Sequence, residues 1–422
     1  MTCFQINGGA ALEGDVKCQG SKNASLPMLA ACILTKDETA LYNAPALTDV
    51  EAALDILRYL GAKVKREDGA LIVDAAGIGK NDVPDALMRE MRSSVIFLGP
   101  LLARTGRAVL SAPGGCEIGL RPIDLHLEAV ARLGAAVKNE GGKIVCTAPK
   151  GLAGAEIPLS FPSVGATENA MLAAVLAKGE TRILNAAREP EIADLAALLN
   201  AMGAQIRGAG ESTICIDGVN TLAGAVHTVL PDRIWGATLL TAGAITKGRV
   251  CVKGLSPVHL VPVLDVLERA GCEIRRGKNE ITVSAPHRLH SVRTVRTTPY
   301  PGFPTDAQPP VTALLSTARG VSVIMETVFE SRFRYVGELT RFGASIRTDG
   351  GFAVVEGVPR LYGAEVSAPD LRGGAALTLA ALCAEGESTV REARHIDRGY
   401  EDLATSLRAL GGNVRRAVAQ GK

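Results

Sequence analysis

The sequence lacks the features that mark several classes of protein. Its 46 Lys and Arg balance 44 Asp and Glu, a net charge of +2, so there is no general basic field for nucleic acid. Apolar stretches such as "MLAAVLA" and "LTLAALCA" stop far short of the roughly 20 residues that span a bilayer. The start, "MTCFQINGGAALEGD", has neither a basic leader nor an apolar run, and we expect a cytoplasmic protein without a signal peptide.

Closely spaced metal ligands are also missing. The nine cysteines are irregularly spaced and the six histidines are scattered, which argues against a zinc or iron-sulfur site and favours free thiols in a reducing compartment. The composition, 47% hydrophobic and 21% charged over 422 residues, indicates a soluble globular protein of two or three domains.

An internal repeat of about seventy residues organises the chain. At six places a segment with helical spacing ends in glycine and passes into a short β-like run, as in "YLGAKVKRE" and "RFGASIRTD". A second, largely apolar helix precedes each of these segments by about thirty residues, which predicts helices lying inside a layer of sheets. The repeated glycines are Gly61, Gly134, Gly203, Gly271, Gly343 and Gly411.

The repeat also predicts the domains. Units begin near residues 22, 92, 163, 233, 306 and 372, and the last is about twenty residues short. Because residues 1–21 are β-like and of the missing size, we expect them to complete the sixth unit. One predicted domain is therefore continuous (22–230), the other is discontinuous (1–21 plus 231–422), and each has three units.

Cations recur at equivalent places in these units. Four unit starts carry Lys22, Arg92, Arg233 and Arg372, and the turns before four second helices carry Arg121, Arg188, Arg332 and Arg398. If these cations converge on a cleft between the domains, where helix N-termini also lie, they would bind a small ligand with several negative charges. Phosphate is the leading candidate for the charged group of that ligand. Solvated arginines or repeated structural salt bridges are the alternative.

Three further positions allow two interpretations each. Cys116, behind "PGG", is either a buried inert thiol or a reactive one on a flexible lid, with Arg121 lowering its pKa. Ser163 or Thr167 caps a helix, while Gly165 would let backbone amides approach a phosphate. Asp306, ahead of two prolines, is favoured as a helix cap but could serve as a base.

Motifs along essentially the whole chain resemble the UDP-N-acetylglucosamine enolpyruvyl transferases of the EPSP synthase superfamily. They include "GSKNASLP", "SAPGGCEIGLRPIDLH", "SVGATEN", "NAAREPEIADL", "LPDR", "FPTDAQ", "TVFESRF", "DLRGGAALTLA" and "HIDRGYEDL". The resemblance implies an α/β fold, a two-domain inside-out α/β barrel of six βαβαββ units, three per domain. It also implies an active site in the cleft between the domains.

The implied reaction moves the enolpyruvyl group of phosphoenolpyruvate to the 3-hydroxyl of UDP-N-acetylglucosamine and releases phosphate. This is the first committed step of bacterial peptidoglycan synthesis, and hence of cell wall formation. The implied enolpyruvyl transfer needs no metal or organic cofactor. We expect a monomer that binds these two small substrates and binds neither nucleic acid nor membrane. We also expect the epoxide antibiotic fosfomycin to alkylate this protein.

The resemblance also implies roles for individual residues. Cys116 would be the general acid and the site of a covalent phospholactoyl adduct, and Asp306 would be the base. Lys22, Arg121 and Arg398 would neutralise phosphoenolpyruvate, supported by Arg92 and Arg372. The positions that match the UDP-sugar site are Asn23, Arg92, Arg121, Pro122, Ile123, Asp124, Leu125, Ser163, Val164, Gly165, Asp306 and Val328.

One departure from the family pattern concerns the diphosphate. Many relatives have a lysine three residues before the serine of "SVGA", where this chain has Ser160, so nucleotide affinity is the property in question.

The rival functions are enolpyruvyl transfer to shikimate 3-phosphate, transfer to another nucleotide, or catalytically silent binding of a nucleotide sugar. The "PGGC" and "RPIDLH" motifs argue against the first, and Lys22, Cys116, Asp306 and Arg398 together argue against the last.

Overall fold

The computed structural model describes residues 2–111 and 123–418, with Arg92 described by its backbone alone. Two compact units are present, one of residues 20–111 and 123–230, the other of residues 2–19 and 231–418. Each encloses its own hydrophobic core. Within the described ranges, no helix is both long and apolar enough to cross a membrane.

Apart from the short helix Asp85–Glu90, the helices alternate along the chain between largely buried and amphipathic ones. Their bounds are α1 Lys22–Ala31, α2 Thr48–Leu60, α3 Asp85–Glu90, α4 Leu98–Thr105, α5 Asp124–Arg132, α6 Val164–Ala174, α7 Pro190–Ala201, α8 Arg233–Ile245, α9 Val261–Arg269, α10 Gln308–Leu315, α11 Val336–Arg341, α12 Leu371–Cys383 and α13 Leu403–Ala409.

The strands are short, and most contain five residues or fewer. Their bounds are β1 Thr2–Asn7, β2 Glu13–Lys17, β3 Glu38–Tyr42, β4 Lys63–Glu67, β5 Ala70–Asp74, β6 Asp82–Val83, β7 Arg107–Ser111, β8 Ala136–Glu140, β9 Lys143–Thr147, β10 Glu156–Pro158, β11 Glu180–Leu184, β12 Gln205–Arg207, β13 Thr213–Asp217, β14 Val226–Thr228, β15 Arg249–Lys253, β16 Glu273–Arg276, β17 Glu280–Ser284, β18 Thr294–Arg296, β19 Val321–Met325, β20 Ser345–Asp349, β21 Phe352–Glu356, β22 Glu365–Ser367, β23 Glu387–Arg391 and β24 Asn413–Val418.

These strands form six sheets of four strands each in the described part of the chain. The sheets of the continuous unit have the orders β14-β3-β5-β4, β6-β7-β9-β8 and β10-β11-β13-β12. Three strands of each sheet pair antiparallel, and the fourth, an edge strand from the preceding repeat, pairs parallel. Because β14 returns to β3, the three repeats close into a ring.

The N-terminal strands close the second ring. In the sheet β22-β23-β1-β24, β1 lies antiparallel between β23 and β24, with Thr2 opposite Val418 and Asn7 opposite Glu387. β2 is the parallel edge strand beside β15. β1 thus lies in one sheet with the last strands of the chain, and the fold class of six repeated α/β units is confirmed.

The apolar helices are internal, as their composition predicts. Every residue of α8 is buried, and so are eight residues of α1 and nine of α6. The amphipathic helices are followed by the six repeated glycines, all with φ between 90° and 115°. Left-handed backbone favours glycine, which explains why this residue marks every repeat.

Polar side chains cap four of the buried helices at their N-termini. Ser21, Ser163, Asp232 and Asp370 each accept a hydrogen bond from a backbone N–H of the first turn. In three cases the next one or two positions hold a cation, namely Lys22, Arg233 and Arg372. The caps thus fix the predicted anion-binding side chains at helix starts.

Candidate functional site

In the unit of residues 231–418, Asp306 lies between two buried arginines. Its Oδ1 is 2.8 Å from Arg332 Nη2, and its Oδ2 is 3.1 Å from Arg372 Nη2. Both arginine side chains are 2% exposed, whereas that of Asp306 is 26% exposed. The carboxylate is therefore the accessible member of a buried charge cluster.

The preference for Asp306 as a helix cap is wrong. It lies in the 3-10 turn Thr305–Ala307, and α10 begins after Ala307 with no side-chain cap. Its oxygens accept instead from guanidinium groups of residues 26 and 66 positions away. Long-range ion pairing here prevails over the local signal of an aspartate before prolines.

The arginine cluster has more donors than the protein uses. Arg372 Nε and Nη1 and Arg332 Nε are buried and have no hydrogen-bond partner among the described residues. Burial disfavours the charged form of Arg372, but Tyr400, Asp306 and Asp232 outweigh that effect and raise its pKa. Buried cationic donors left over beside an accessible carboxylate suit a polar, anionic ligand.

Glu326 organises this region and was not among the predicted site residues. Its Oε1 accepts from Thr297 Oγ1 at 2.9 Å, from Val328 N at 2.8 Å and from Phe329 N at 3.1 Å. Its Oε2 accepts from Thr305 Oγ1 at 2.9 Å. One buried carboxylate thus ties the loop of Val328 to the turn of Asp306. The "TVFESRF" motif begins immediately after Glu326, and this proximity is the local feature of the sequence that could have indicated a role for Glu326.

Two other predicted cations lie in the same unit. Arg398 is half-buried at the end of the 3-10 helix Ala393–Arg398. Arg233 is buried at the start of α8, and its guanidinium lies 5.5 Å from the centre of the Tyr300 ring. Both therefore occupy ordered positions at or near helix ends, as the repeat pattern predicts.

In the other unit, Lys22 forms an ion pair with Asp49. The Nζ to Oδ2 distance is 3.3 Å, and the two side chains are 14% and 4% exposed. Lys22 is the first residue of α1, and the half-buried Asn23 is the second. The pair holds the Lys22 ammonium group at the helix start, where a second anion would be attracted.

The predicted nucleotide-sugar residues of this unit lie at two helix starts. Ser163 caps α6, its Oγ accepting from Ala166 N at 3.4 Å, so Val164 and Gly165 form the first turn. Ile123 precedes α5, and Asp124 and Leu125 begin it. Arg188, in contrast, is exposed and donates from Nε to the Gly210 carbonyl oxygen at 3.4 Å, which fits a solvated arginine.

Three of the predicted residues, Cys116, Arg121 and Pro122, lie outside the described residues. Arg92 begins the 3-10 helix Arg92–Phe97.

Among the described cysteines, burial raises the pKa of Cys32, Cys272 and Cys383 to about 12. These three thiols therefore stay protonated at neutral pH. Within the described ranges, no three His, Cys, Asp or Glu side chains are grouped to hold a metal ion.

Known proteins of one family match nearly the whole chain. Residues 6–407 match the model of the EPSP synthase (3-phosphoshikimate 1-carboxyvinyltransferase) family. UDP-N-acetylglucosamine 1-carboxyvinyltransferase 1 of Symbiobacterium thermophilum is 50% identical, with 98% of this chain and 95% of that protein covered. UDP-N-acetylglucosamine 1-carboxyvinyltransferase of Finegoldia magna is 46% identical, with 99% of this chain and 99% of that protein covered.

Solved structures share the fold. The enolpyruvyl transferase NikO from Streptomyces tendae is 27% identical, with a TM-score of 0.89 over 99% of each chain. EPSP synthase from Acinetobacter baumannii is 19% identical, with a TM-score of 0.74 over the full length of both chains. With its ring of repeats and its relatives of 46–50% identity, the chain belongs to the EPSP synthase family, among the UDP-N-acetylglucosamine 1-carboxyvinyltransferases.

Proposed function

We propose that this protein transfers the enolpyruvyl group of phosphoenolpyruvate to the 3-hydroxyl of UDP-N-acetylglucosamine and releases phosphate. The observation that carries this proposal is the 46–50% identity, over nearly the whole chain, to proteins named for that carboxyvinyl transfer. The reaction is the first committed step of peptidoglycan synthesis. Phosphoenolpyruvate as donor, a monomeric state and a cytoplasmic location are parts of the same proposal.

Asp306 is suited to receive the proton of the sugar hydroxyl. Its carboxylate is accessible at 26%, and the two guanidinium groups behind it are fixed by burial. A carboxylate oxygen within hydrogen-bond distance of the 3-hydroxyl can take its proton as the oxygen bonds to C2 of phosphoenolpyruvate. Arg372, Arg332 and Arg398 contribute positive charge for the carboxylate and phosphate of the donor.

Cys116 supplies the other proton in this mechanism. Its thiol protonates the methylene carbon of phosphoenolpyruvate while the hydroxyl oxygen adds at C2, which gives a tetrahedral intermediate. Loss of a methyl proton and cleavage of the bond from C2 to the phosphate oxygen then regenerate the double bond and release phosphate. Addition of the thiol sulfur at C2, with a proton delivered to the methylene carbon, would instead give the phospholactoyl adduct on Cys116. In a separate reaction, the free thiol would open the epoxide of fosfomycin and be alkylated.

The remaining roles follow the positions that match the family motifs. Lys22, Arg121 and Arg398 bind the donor anion, and Arg92 and Arg372 support them. Asn23 lies near the sugar with Asp306, Arg121 to Leu125 contact the uracil end, and Ser163 to Gly165 and Val328 complete the nucleotide-sugar site. This assignment requires the two units to present their helix starts to one ligand.

Phosphate release tests the proposed function. The purified protein is mixed with phosphoenolpyruvate and either UDP-N-acetylglucosamine, UDP or shikimate 3-phosphate. We expect phosphate, and a product heavier than the acceptor by the enolpyruvyl group, only with UDP-N-acetylglucosamine. Release with shikimate 3-phosphate alone would establish the rival transferase. Binding of UDP-N-acetylglucosamine without phosphate release from any mixture would leave only a silent nucleotide-sugar-binding protein.

A further inference from the structure

The first turn of α6 is covered by a buried histidine that the proposed mechanism does not use. His126, in the first turn of α5, is 8% exposed. A Cβ placed on Gly165 would lie 3.0 Å from His126 Cε1 and 3.3 Å from His126 Nε2. The missing side chain of Gly165 therefore makes room for the imidazole edge, so that Nε2 lies beside the start of α6.

The fully buried side chain of Asn169 fixes the protonation state of this ring. Asn169 Oδ1 accepts from Gly99 N at 2.8 Å, and Asn169 Nδ2 donates to the Val95 carbonyl oxygen at 2.9 Å, so the orientation of the amide is determined. The second hydrogen on Nδ2 faces His126 Nδ1, at 2.7 Å. Nδ1 must then be the acceptor, and the proton of the neutral ring is on Nε2.

Protonation of His126 is opposed from two sides. A proton on Nδ1 would place two donors face to face at 2.7 Å. Burial lowers the pKa of His126 to about 4, and the charge of nearby Asp124 offsets only part of that effect. At neutral pH the ring therefore presents an uncharged N–H donor, with no other partner for Nε2 among the described residues.

Nε2 joins a set of backbone donors. Val164 and Gly165 are in the first turn of α6, where N–H groups have no acceptor within the helix and the helix dipole favours negative charge. The three residues before Ser163, which are Ser160, Phe161 and Pro162, include no cation. The region thus combines fixed neutral donors, and a phosphate oxygen is the acceptor that such a set binds best.

We propose that His126 is a binding residue for the substrate, donating from Nε2 to a phosphate oxygen of the nucleotide sugar at the start of α6. This inference rests on the proposed function for the identity of the ligand. It assigns Asn169 as the positioning residue that keeps Nε2 protonated and directed at that oxygen.

The test measures binding by calorimetry without phosphoenolpyruvate, so turnover is not needed. In His126→Leu, the Kd for UDP-N-acetylglucosamine and for UDP should rise about 10- to 100-fold, the range for a hydrogen bond to a charged group. The Kd for uridine, which has no phosphate, and for phosphoenolpyruvate should not change. His126→Gln, whose amide nitrogen can replace Nε2, should recover part of the loss. His287→Gln, at an exposed histidine, is the matched control.

Nitrogen NMR of the ligand-free protein provides the second measurement. Between pH 6 and 8 the His126 ring should show an unprotonated Nδ1 and a protonated Nε2, and UDP should shift the Nε2 signal. Asn169→Asp, which removes the donor, should abolish this fixed tautomer. An unchanged Kd for UDP in a folded His126→Leu protein, or a loss confined to phosphoenolpyruvate, would overturn the inference. Absence of phosphate release alongside normal UDP binding would refute only the proposed function.

Discussion

At the scale of single residues, two neighbouring carboxylates have different surroundings and should have different roles. Asp306 is partly exposed and paired with Arg332 and Arg372, whereas Glu326 is buried and, among the described residues, accepts from hydroxyl and backbone groups. The first can meet a substrate. The second can only hold protein segments in place.

Asp306→Asn should therefore reduce kcat for phosphate release by about 10²- to 10⁴-fold, the usual contribution of a general base. Glu326→Gln is the matched control, because it also exchanges a carboxylate for an amide. Its Oε1 can keep three hydrogen bonds, so we expect a lower Tm and a kcat within about tenfold of wild type. Steady-state kinetics and thermal unfolding check both. Equal losses of kcat would refute the base assignment.

The buried Glu168 predicts a pH-dependent stability. Burial, and then the charges of Glu191 and Glu189, raise its pKa well above the ordinary value. The folded protein thus keeps a proton that the unfolded chain loses above its pKa of about 4.3, so the contribution of Glu168 to stability decreases as the pH rises. Glu168→Gln mimics the protonated acid and removes that dependence.

We expect Glu168→Gln to have a higher Tm than wild type at pH 8, with the difference shrinking toward pH 5. Each kcal/mol corresponds to about 2–4 °C for a domain of this size. Glu211→Gln, at an exposed position, should show no such pH-dependent difference. Thermal unfolding monitored at several pH values decides the matter, and a constant Tm difference between wild type and Glu168→Gln would contradict this explanation.

At the scale of elements, the ring of repeats was predictable because its signals are local. A glycine with positive φ ends each amphipathic helix, and a polar cap starts four of the buried ones, so each repeat carries its own marks in the sequence. The contacts among Asp306, Arg332 and Arg372 were not predictable, since they join residues up to 66 positions apart. Glu326 escaped prediction for the same reason, because its donors come from three segments.

The contact between α4 and α6 depends on a glycine whose role no local pattern reveals. A Cβ on Gly99 would lie 2.5 Å from the backbone oxygen of Asn169, which cannot move without its helix. Gly99→Ala should cost about 1–3 kcal/mol, as overpacking of a core usually does. Gly337→Ala is the control, because nothing lies within 4 Å of that Cβ. It should be neutral or stabilise α11 by about 0.5–1 kcal/mol.

Thermal unfolding of both glycine variants measures these effects. We expect a lower Tm for Gly99→Ala and an equal or higher Tm for Gly337→Ala. Comparable stability of the two variants would mean that α4 and α6 can separate without loss, and that the close approach of their backbones is not needed by the core.

At the scale of the whole molecule, we consider the ring of repeats in the unit of residues 2–19 and 231–418, which β1 helps to close. Its closure predicts that the stability of the protein depends less on where the chain ends lie than on the presence of β1. Thr2 and Val418 are opposite each other in the β1–β24 pair, so a short Gly-Ser linker can join them. New ends can be placed between Gly141 and Gly142, in the exposed turn between β8 and β9, where neither glycine has a neighbour within 4 Å of its Cβ.

The circular permutant should therefore fold, with a Tm close to that of the original chain. Deletion of residues 2–17 should instead destabilise the unit of residues 231–418, because it removes a strand paired on both sides and the parallel edge strand beside β15. Thermal unfolding and limited proteolysis of the permutant and of the deleted protein separate these outcomes. If the deleted protein unfolded like the permutant, the N-terminal strands would be an attachment to the ring and not part of its closure.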